Sequence, residues 1–340
     1  MLRAALAVLL VTSVGSVGSA QKSEPYFELT RQYLTEPAAA IAALLKLPTS
    51  AINAGVRACT DTEVPPPPAR KLCSPPSLKS AALLHADAAN ALMDEDVVRA
   101  GFHIRIGSHL LRPLRSDSQV EFYKSTPRDD LFIARWYAYM ARAYVAHGYR
   151  TQAMFVVEEG LRKCPASPDL RVARGVIIEI GSEGRIARFG ESAADDYRRA
   201  LVSDPSHRPA RLRLGWAHYV ELDDRAAADL TSALGDEAEP EIRYLAHLFL
   251  GRIAERDRHL PVAIAEYEAA RAAAPQFQSA CVALSNAYSL AGDLPRARTA
   301  SIECLTLESN DENPDPWWMF EAGLLDVTTT KWLHEEVQRQ

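Results

Sequence analysis

Apolar residues recur three and four positions apart along most of this chain, the period of a helix that lays one face on a core. Leu78–Met93 and Val97–Leu114 show it over full-length helices, and Tyr26–Leu34 and Ala38–Leu47 show it over two shorter ones. Thr329–Gln338 closes the chain with Trp332 and Leu333 on one apolar side. Prolines set the breaks, because the ring removes a donor and clashes with the preceding turn. Pro165, Pro205 and Pro275 end helical runs, Pro65–Pro68 make a stiff segment, and Asn313-Pro314-Asp315-Pro316-Trp317-Trp318 cannot continue a helix. The pattern predicts an all-α protein whose helices follow one another at regular intervals.

Those intervals repeat. Tyr137, Met140, Ala141, Tyr144, Gly148, Ala153, Val157, Gly160 and Pro165 form a frame that returns as Leu250, Gly251, Ala254, Ala263, Tyr267, Ala270 and Pro275. It returns again as Leu284, Ser285, Tyr288, Gly292, Ala297, Ser301 and Cys304, with looser copies through Gly175, Ile178, Ala193, Tyr197, Ala200 and Pro205, and through Leu214, Gly215, Ala226, Leu230 and Ala233. Ala153, Ala193, Ala226, Ala263 and Ala297 follow at intervals of 40, 33, 37 and 34 residues, and the excess in the first falls in Gly181–Glu191, a turn between helices. Loop insertions of that kind cost little. Over residues 131–309 the chain resembles the tetratricopeptide repeat family, whose unit is W-x₂-L-G-x₂-Y followed by A-x₃-F-x₂-A and a proline.

The resemblance implies a right-handed α-α superhelix, a solenoid of antiparallel helix hairpins that stack to bury a core none could bury alone. Small residues such as Gly251 and Ala263 should stand where the two helices of a hairpin cross, and Leu250 and Tyr267 should fill the space between hairpins. Ala100, Ile104 and Gly107 repeat part of the frame, so residues 77–130 read as a degenerate repeat plus the polar connection Ser116–Asp130. Residues 21–58 read as an N-terminal helical cap, 59–76 as a proline-rich linker and 310–340 as a capping tail carrying Trp317, Trp318 and Trp332. The other place for that tail is the groove of the solenoid.

Met1–Ala20 has the form of a secretory signal: Arg3, the apolar run Ala4–Val14, then small residues up to Ala20. Eleven residues make a helix of about 16 Å, roughly half a bilayer core, so the segment is no anchor. The expectation is an exported protein, periplasmic or secreted, and the alanine- and arginine-rich texture points to a bacterial envelope. Export changes the meaning of the five cysteines. Cys59 and Cys73 flank the proline run and suit a disulfide that staples it. Cys281 and Cys304 share the open end of one hairpin, where two small apolar core residues are the simpler reading, and at least one thiol is left over.

Lys+Arg 38 against Asp+Glu 44 gives −6, which argues against nucleic acid held by bulk charge. No hydrolase, Walker or dinucleotide motif is present, and His334-Glu335-Glu336 lacks the second histidine of a zincin. His85, Asp87, His103 and His109 are the one histidine cluster, and a metal-dependent hydrolase built on them is the enzymatic alternative. The main reading is non-catalytic, with no cofactor and no metal. The resemblance implies that first helices line a concave face that takes extended peptides. On that face the frame places Arg135, Tyr139, Arg142, Arg213, Trp216, Tyr219, Arg252, Arg256 and Asn286. Arginine grips carboxylates and aromatics hold apolar side chains, so the expected partner is a protein or extended peptide, acidic or bearing a free carboxylate. A self-assembling structural protein is the third alternative.

Overall fold

The computed structural model describes residues 25–60, 73–115, 129–181, 193–235, 238–307 and 314–339. The signal segment, the tetraproline run, and most of the Ser116–Asp130 connection and of the Gly181–Glu191 insertion lie outside the described residues. The described chain is all-α, and it divides into two compact units: residues 1–136 with 331–340, and residues 137–330.

The second unit holds the repeat array. Its helices are α6 (Asp130–Ala146, from Tyr137 onward), α7 (Arg150–Lys163), α8 (Pro168–Gly181), α9 (Ala193–Ser203), α10 (Arg208–Val220), α11 (Ala226–Ala233), α12 (Pro240–Arg256), α13 (Leu260–Ala273), α14 (Gln278–Leu290) and α15 (Leu294–Thr306). Consecutive helices pair as hairpins, as the repeat predicts. Four of the hairpins close with one turn. The N–H groups of Tyr149, Asp223, His259 and Asp293 donate to the carbonyls of Tyr144, His218, Ala254 and Tyr288, at 2.8–2.9 Å. This bond satisfies a carbonyl that the helix end would strand, and it requires a left-handed residue just before the donor. Gly148 and Gly292 take that conformation at φ 80° and 79°, but Leu222 and Arg258 take it too, at φ 59° and 62°.

Inside three of the hairpins a small residue of the first helix faces a larger one of the second. A Cβ on Gly175 would come within 2.5 Å of the Tyr197 ring, on Gly251 within 2.5 Å of Tyr267 Cδ1, and on Gly215 within 2.7 Å of Leu230 Cγ. In the last hairpin two serines replace the pair and bond to each other, Ser285 Oγ to Ser301 Oγ at 2.6 Å. Tyr267 therefore fills the space left by the missing side chain of Gly251 in its own hairpin, which corrects the expectation that it lies between hairpins. The adjacent acids Asp195 and Asp196 have different surroundings. Asp196 is fully buried and meets Arg174 at 2.8 Å and Arg171 at 3.5 Å. Cys281 and Cys304 are bridged, with Cα atoms 5.8 Å apart. The simpler reading as two unpaired core residues gives way because both line the seam between α14 and α15.

The first unit contains α1 (residues 25–32), α2 (Pro37–Leu44), α3 (Thr49–Thr60), α4 (Pro75–Leu92), α5 (Val97–Leu111) with a 3₁₀ turn at Arg112–Arg115, and the start of α6. Helix α3 falls partly in the stretch read as linker and is an addition to the expected cap. Asp96 caps α5 by accepting the Arg99 N–H at 2.9 Å, which sharpens the α4–α5 hairpin. Gly107 of the degenerate frame leaves room for the Trp136 ring, whose Nε1 donates to the Ala82 carbonyl at 2.9 Å. Cys59 and Cys73 are bridged, with Cα atoms 5.3 Å apart.

Candidate functional site

The face made by the first helices of the second unit carries a ligand-like segment of the chain itself. Helix α16 (Pro316–Glu321) and the residues that follow it cross that face from α14 toward α6. At α14, Asp315 accepts the Ser279 N–H at 2.8 Å, in the first turn of a helix whose own N-cap, Phe277, offers no side-chain acceptor. The same carboxylate accepts the Trp317 N–H at 2.9 Å and the Tyr244 hydroxyl at 3.1 Å. One acid thus satisfies amides at the start of two helices and sits where their dipoles favour negative charge. Burial first, and then Asp315 beside it, pushes the Tyr244 phenol far above its ordinary pKa, so it remains a donor.

Next come the aromatics. Trp317 packs 5.4 Å from Phe249 and edge-on to Trp216, with the Arg252 guanidinium 4.8 Å from its ring. Phe320 lies 5.2 Å from Phe249 and edge-on to Trp216 at 5.8 Å, beneath the Arg213 guanidinium at 3.6 Å. Arg213 also donates to the Phe320 carbonyl at 3.1 Å and reaches Glu179 at 3.4 Å, and only 4% of it is exposed. Gly323, at φ 72°, turns the segment against Val176 and Ile180 of α8. Arg142 of α6 then donates to the Leu325 carbonyl at 3.1 Å and pairs with Asp326 at 2.8 Å. The segment therefore meets α14, α12, α10, α8 and α6 in turn, through acids, aromatics and carbonyls.

Beside α16 an open groove of about 1010 Å³ remains. Tyr219, Arg252, Arg256, Arg258, Asn286 and the tail tryptophans line it, with Val282 and Leu290 as exposed apolar walls. Trp318 stands 63% exposed at its edge. Among the described residues Glu255 is the one acid of this lining, and both of its oxygens are engaged within the protein. Tyr267 donates to one at 2.8 Å and Asn286 to the other at 2.7 Å. Burial, then the bond to Glu255, raises the Tyr267 pKa and keeps that phenol a donor. Arg256 contacts the neighbouring Asp257 at 3.1 Å and lies 5.5 Å from the Tyr219 ring. Among the described residues, Arg252 and Arg258 have no carboxylate at ion-pair distance. The groove therefore presents cationic side chains above apolar walls.

The nine residues expected on the concave face consequently separate into three sets. Tyr219, Arg252, Arg256 and Asn286 share the open groove. Arg142, Arg213 and Trp216 are engaged by the tail, with Arg252 touching both. Arg135 belongs to the first unit, its guanidinium 4.5 Å from the Trp332 ring, and Tyr139 is half-buried. Trp317 does not cover the end of the array: the outer face of α15 keeps Leu294, Ile302 and Leu305 exposed. The Trp317 ring packs instead on Trp216 of α10 and on Phe249 and Arg252 of α12. The residues missed by sequence were Asp315, Phe320 and Asp326, which are distant in the chain from the repeat frame they contact.

The histidine cluster falls apart in the first unit. His85 and His103 are fully buried, with their Nδ1 atoms 2.8 Å apart and His85 Nε2 3.1 Å from the Tyr26 hydroxyl. Burial lowers both pKa values, that of His103 to about 4 with Arg99 adding to the effect. Asp87 instead accepts from Tyr33 at 2.6 Å and meets His334 at 3.0 Å. Among the described residues, no group of three or more His, Cys, Asp or Glu could hold a metal ion. No single described helix is long and apolar enough to cross a membrane.

No protein-family model matches the sequence, and no curated protein matches it. Solved structures do show similarity. PilF of Pseudomonas aeruginosa is 18% identical with a TM-score of 0.48, over 62% of this chain and 89% of that one. MamA of Desulfovibrio magneticus RS-1 is 18% identical with a TM-score of 0.43, over 53% of this chain and 98% of that one. Human IFIT1, a dimer with PPP-AAAA, is 16% identical with a TM-score of 0.39, over 80% and 72%.

Proposed function

We propose that this protein is a non-catalytic scaffold that binds an extended segment of another protein in the groove beside α16. The observation that carries this reading is the composition of the groove wall. Among the described residues three arginines stand over apolar side chains, and the one acid beside them is held by Tyr267 and Asn286. Such a surface selects a segment with carboxylates next to apolar residues, since a charge-assisted bond contributes about 1.5–3 kcal/mol. Arg258 strengthens the case. It occupies a left-handed position that glycine takes in two other hairpins, at a cost of about 1–2 kcal/mol, and its side chain lines the groove. We place the protein in an exported compartment of a bacterial envelope, a reading supported by four of five cysteines paired as disulfides.

A peptide array tests the scaffold reading, with each sequence carried as free carboxylate and as amide. The parent should retain a subset rich in Asp and Glu beside apolar residues. An Arg256→Glu, Arg258→Glu variant should lose that subset by at least about tenfold, because each lost contact exceeds 1.4 kcal/mol. A parent that enriches no subset, or a variant that keeps it, refutes the reading.

A further inference from the structure

The inner face has two parts, and the chain covers one of them with its own residues 315–326. Trp317 and Phe320 join the apolar core around Phe249, and polar contacts add to that packing: a buried arginine on a carbonyl and a ring, an acid on helix N–H groups, and an ion pair at the far end of the segment. Helix α16 has six residues, too few to be stable without the surface it lies on. The two side chains that fix it, Trp317 and Phe320, stand at helical spacing and both face Trp216 and Phe249. The next aromatic, Trp318, points away and is largely exposed.

We propose that the seat of α16 on α10, α12 and α14 is a peptide-binding site that the chain occludes with its own tail. Its external ligand is a partner segment of the same design: a carboxylate that caps a short helix, then aromatic residues two and five positions later. The spacing follows from Asp315, Trp317 and Phe320. The carboxylate reaches the free N–H of Ser279 and the Tyr244 hydroxyl, the first ring enters between Phe249 and Arg252, and the second lies under Arg213. A segment lacking the acid leaves the Ser279 N–H without its acceptor, and one lacking the second ring leaves Arg213 without its face. This site rests on the reading of the first-helix face as a binding surface, and it adds a competitor to it. The tail sets a threshold, because a partner binds only by outcompeting a ligand tethered to the site.

The test uses the full chain and a labelled peptide copying its residues 313–327. In a Trp317→Ala, Phe320→Ala variant the tail loses its anchors while Tyr244, Phe249, Arg213 and Trp216 keep the seat. The peptide should bind this variant at least about tenfold more tightly than the parent. Replacing its aspartate at 315 by asparagine should weaken it several-fold. Equal binding to both proteins, or binding to neither, overturns the proposal. A second measurement needs no variant: in the parent, amides of residues 317–321 should exchange at least about tenfold faster than those of α12. Joint exchange would make α16 an integral part of the array and would also overturn it. If the array peptides bind the open groove while the tail peptide fails, this proposal alone falls. If both fail, the binding-face reading falls with it.

Discussion

Replacing Gly251 by alanine should change sign with the residue it faces. The α12–α13 hairpin crosses at Gly251, and an added Cβ would lie 2.5 Å from Tyr267 Cδ1 and 3.0 Å from Cζ. Ordinary carbon contacts need about 3.5–4.0 Å, so the ring would have to withdraw by roughly 1 Å. It cannot do so freely, being 1% exposed and tethered through its hydroxyl to Glu255 at 2.8 Å. Overpacking of this kind costs about 1–3 kcal/mol, against a gain of about 1 kcal/mol for alanine over glycine within a helix. The single substitution should therefore destabilise by up to about 2 kcal/mol. With Tyr267→Val the obstacle is gone, and Gly251→Ala should stabilise by about 1 kcal/mol. That pairing is already present in the first hairpin, where Ala141 and Val157 hold the two positions at the same separation of sixteen residues. Urea denaturation of the parent, both single variants and the double variant gives the coupling directly. Hydrogen exchange in α12 and α13 locates it. A coupling energy below about 0.5 kcal/mol, with the same sign in both backgrounds, would refute the size-matching account of these hairpins.

Three further outcomes follow from particular residues. Arg258→Gly should raise stability by up to about 1 kcal/mol, since it relieves a left-handed backbone at φ 62° and gives back part of that gain as unfolded-chain entropy. The same variant should bind groove peptides more weakly, and a variant that is both less stable and unimpaired in binding would contradict the role given to this side chain. His103 has a lowered folded pKa of about 4 against the usual 6.5. Below pH 6.5 the unfolded chain therefore takes up a proton that the folded one refuses, and stability falls with pH until about pH 4. Between pH 7 and 5 this amounts to about 2 kcal/mol, and a His103→Asn variant should lose that share of the slope, with the share from buried His85 remaining, in urea melts of matched buffers. Cys59→Ser with Cys73→Ser opens a loop of about 15 residues and should lower stability by roughly 3 kcal/mol, read as faster amide exchange in α3.

Much of this protein is written locally. A helix records itself in the sequence through apolar spacing, caps and prolines, all within a few residues. The hairpin frame was therefore legible from Tyr137 to Cys304, together with the pairing of Cys59 with Cys73 as a candidate staple. The repeat added which helix faces inward, and so placed Tyr219, Arg252, Arg256 and Asn286 on one surface. Three things were beyond it. Glu255 as an acid engaged by Tyr267 and Asn286, instead of a neutraliser of arginines, depends on how three helices approach one another. Asp196 as a buried partner of Arg171 and Arg174 depends on the closing of α8 against α9. Above all, a motif such as Asp315-Pro316-Trp317 carries no mark of where it docks. Its partners Tyr244 and Ser279 lie 71 and 36 residues away, and Arg213 lies 107 residues from Phe320. Secondary structure follows from neighbours along the chain, which any sequence displays. The occupant of the inner face was decided by complementarity between distant surfaces, and that exists only once the chain has folded.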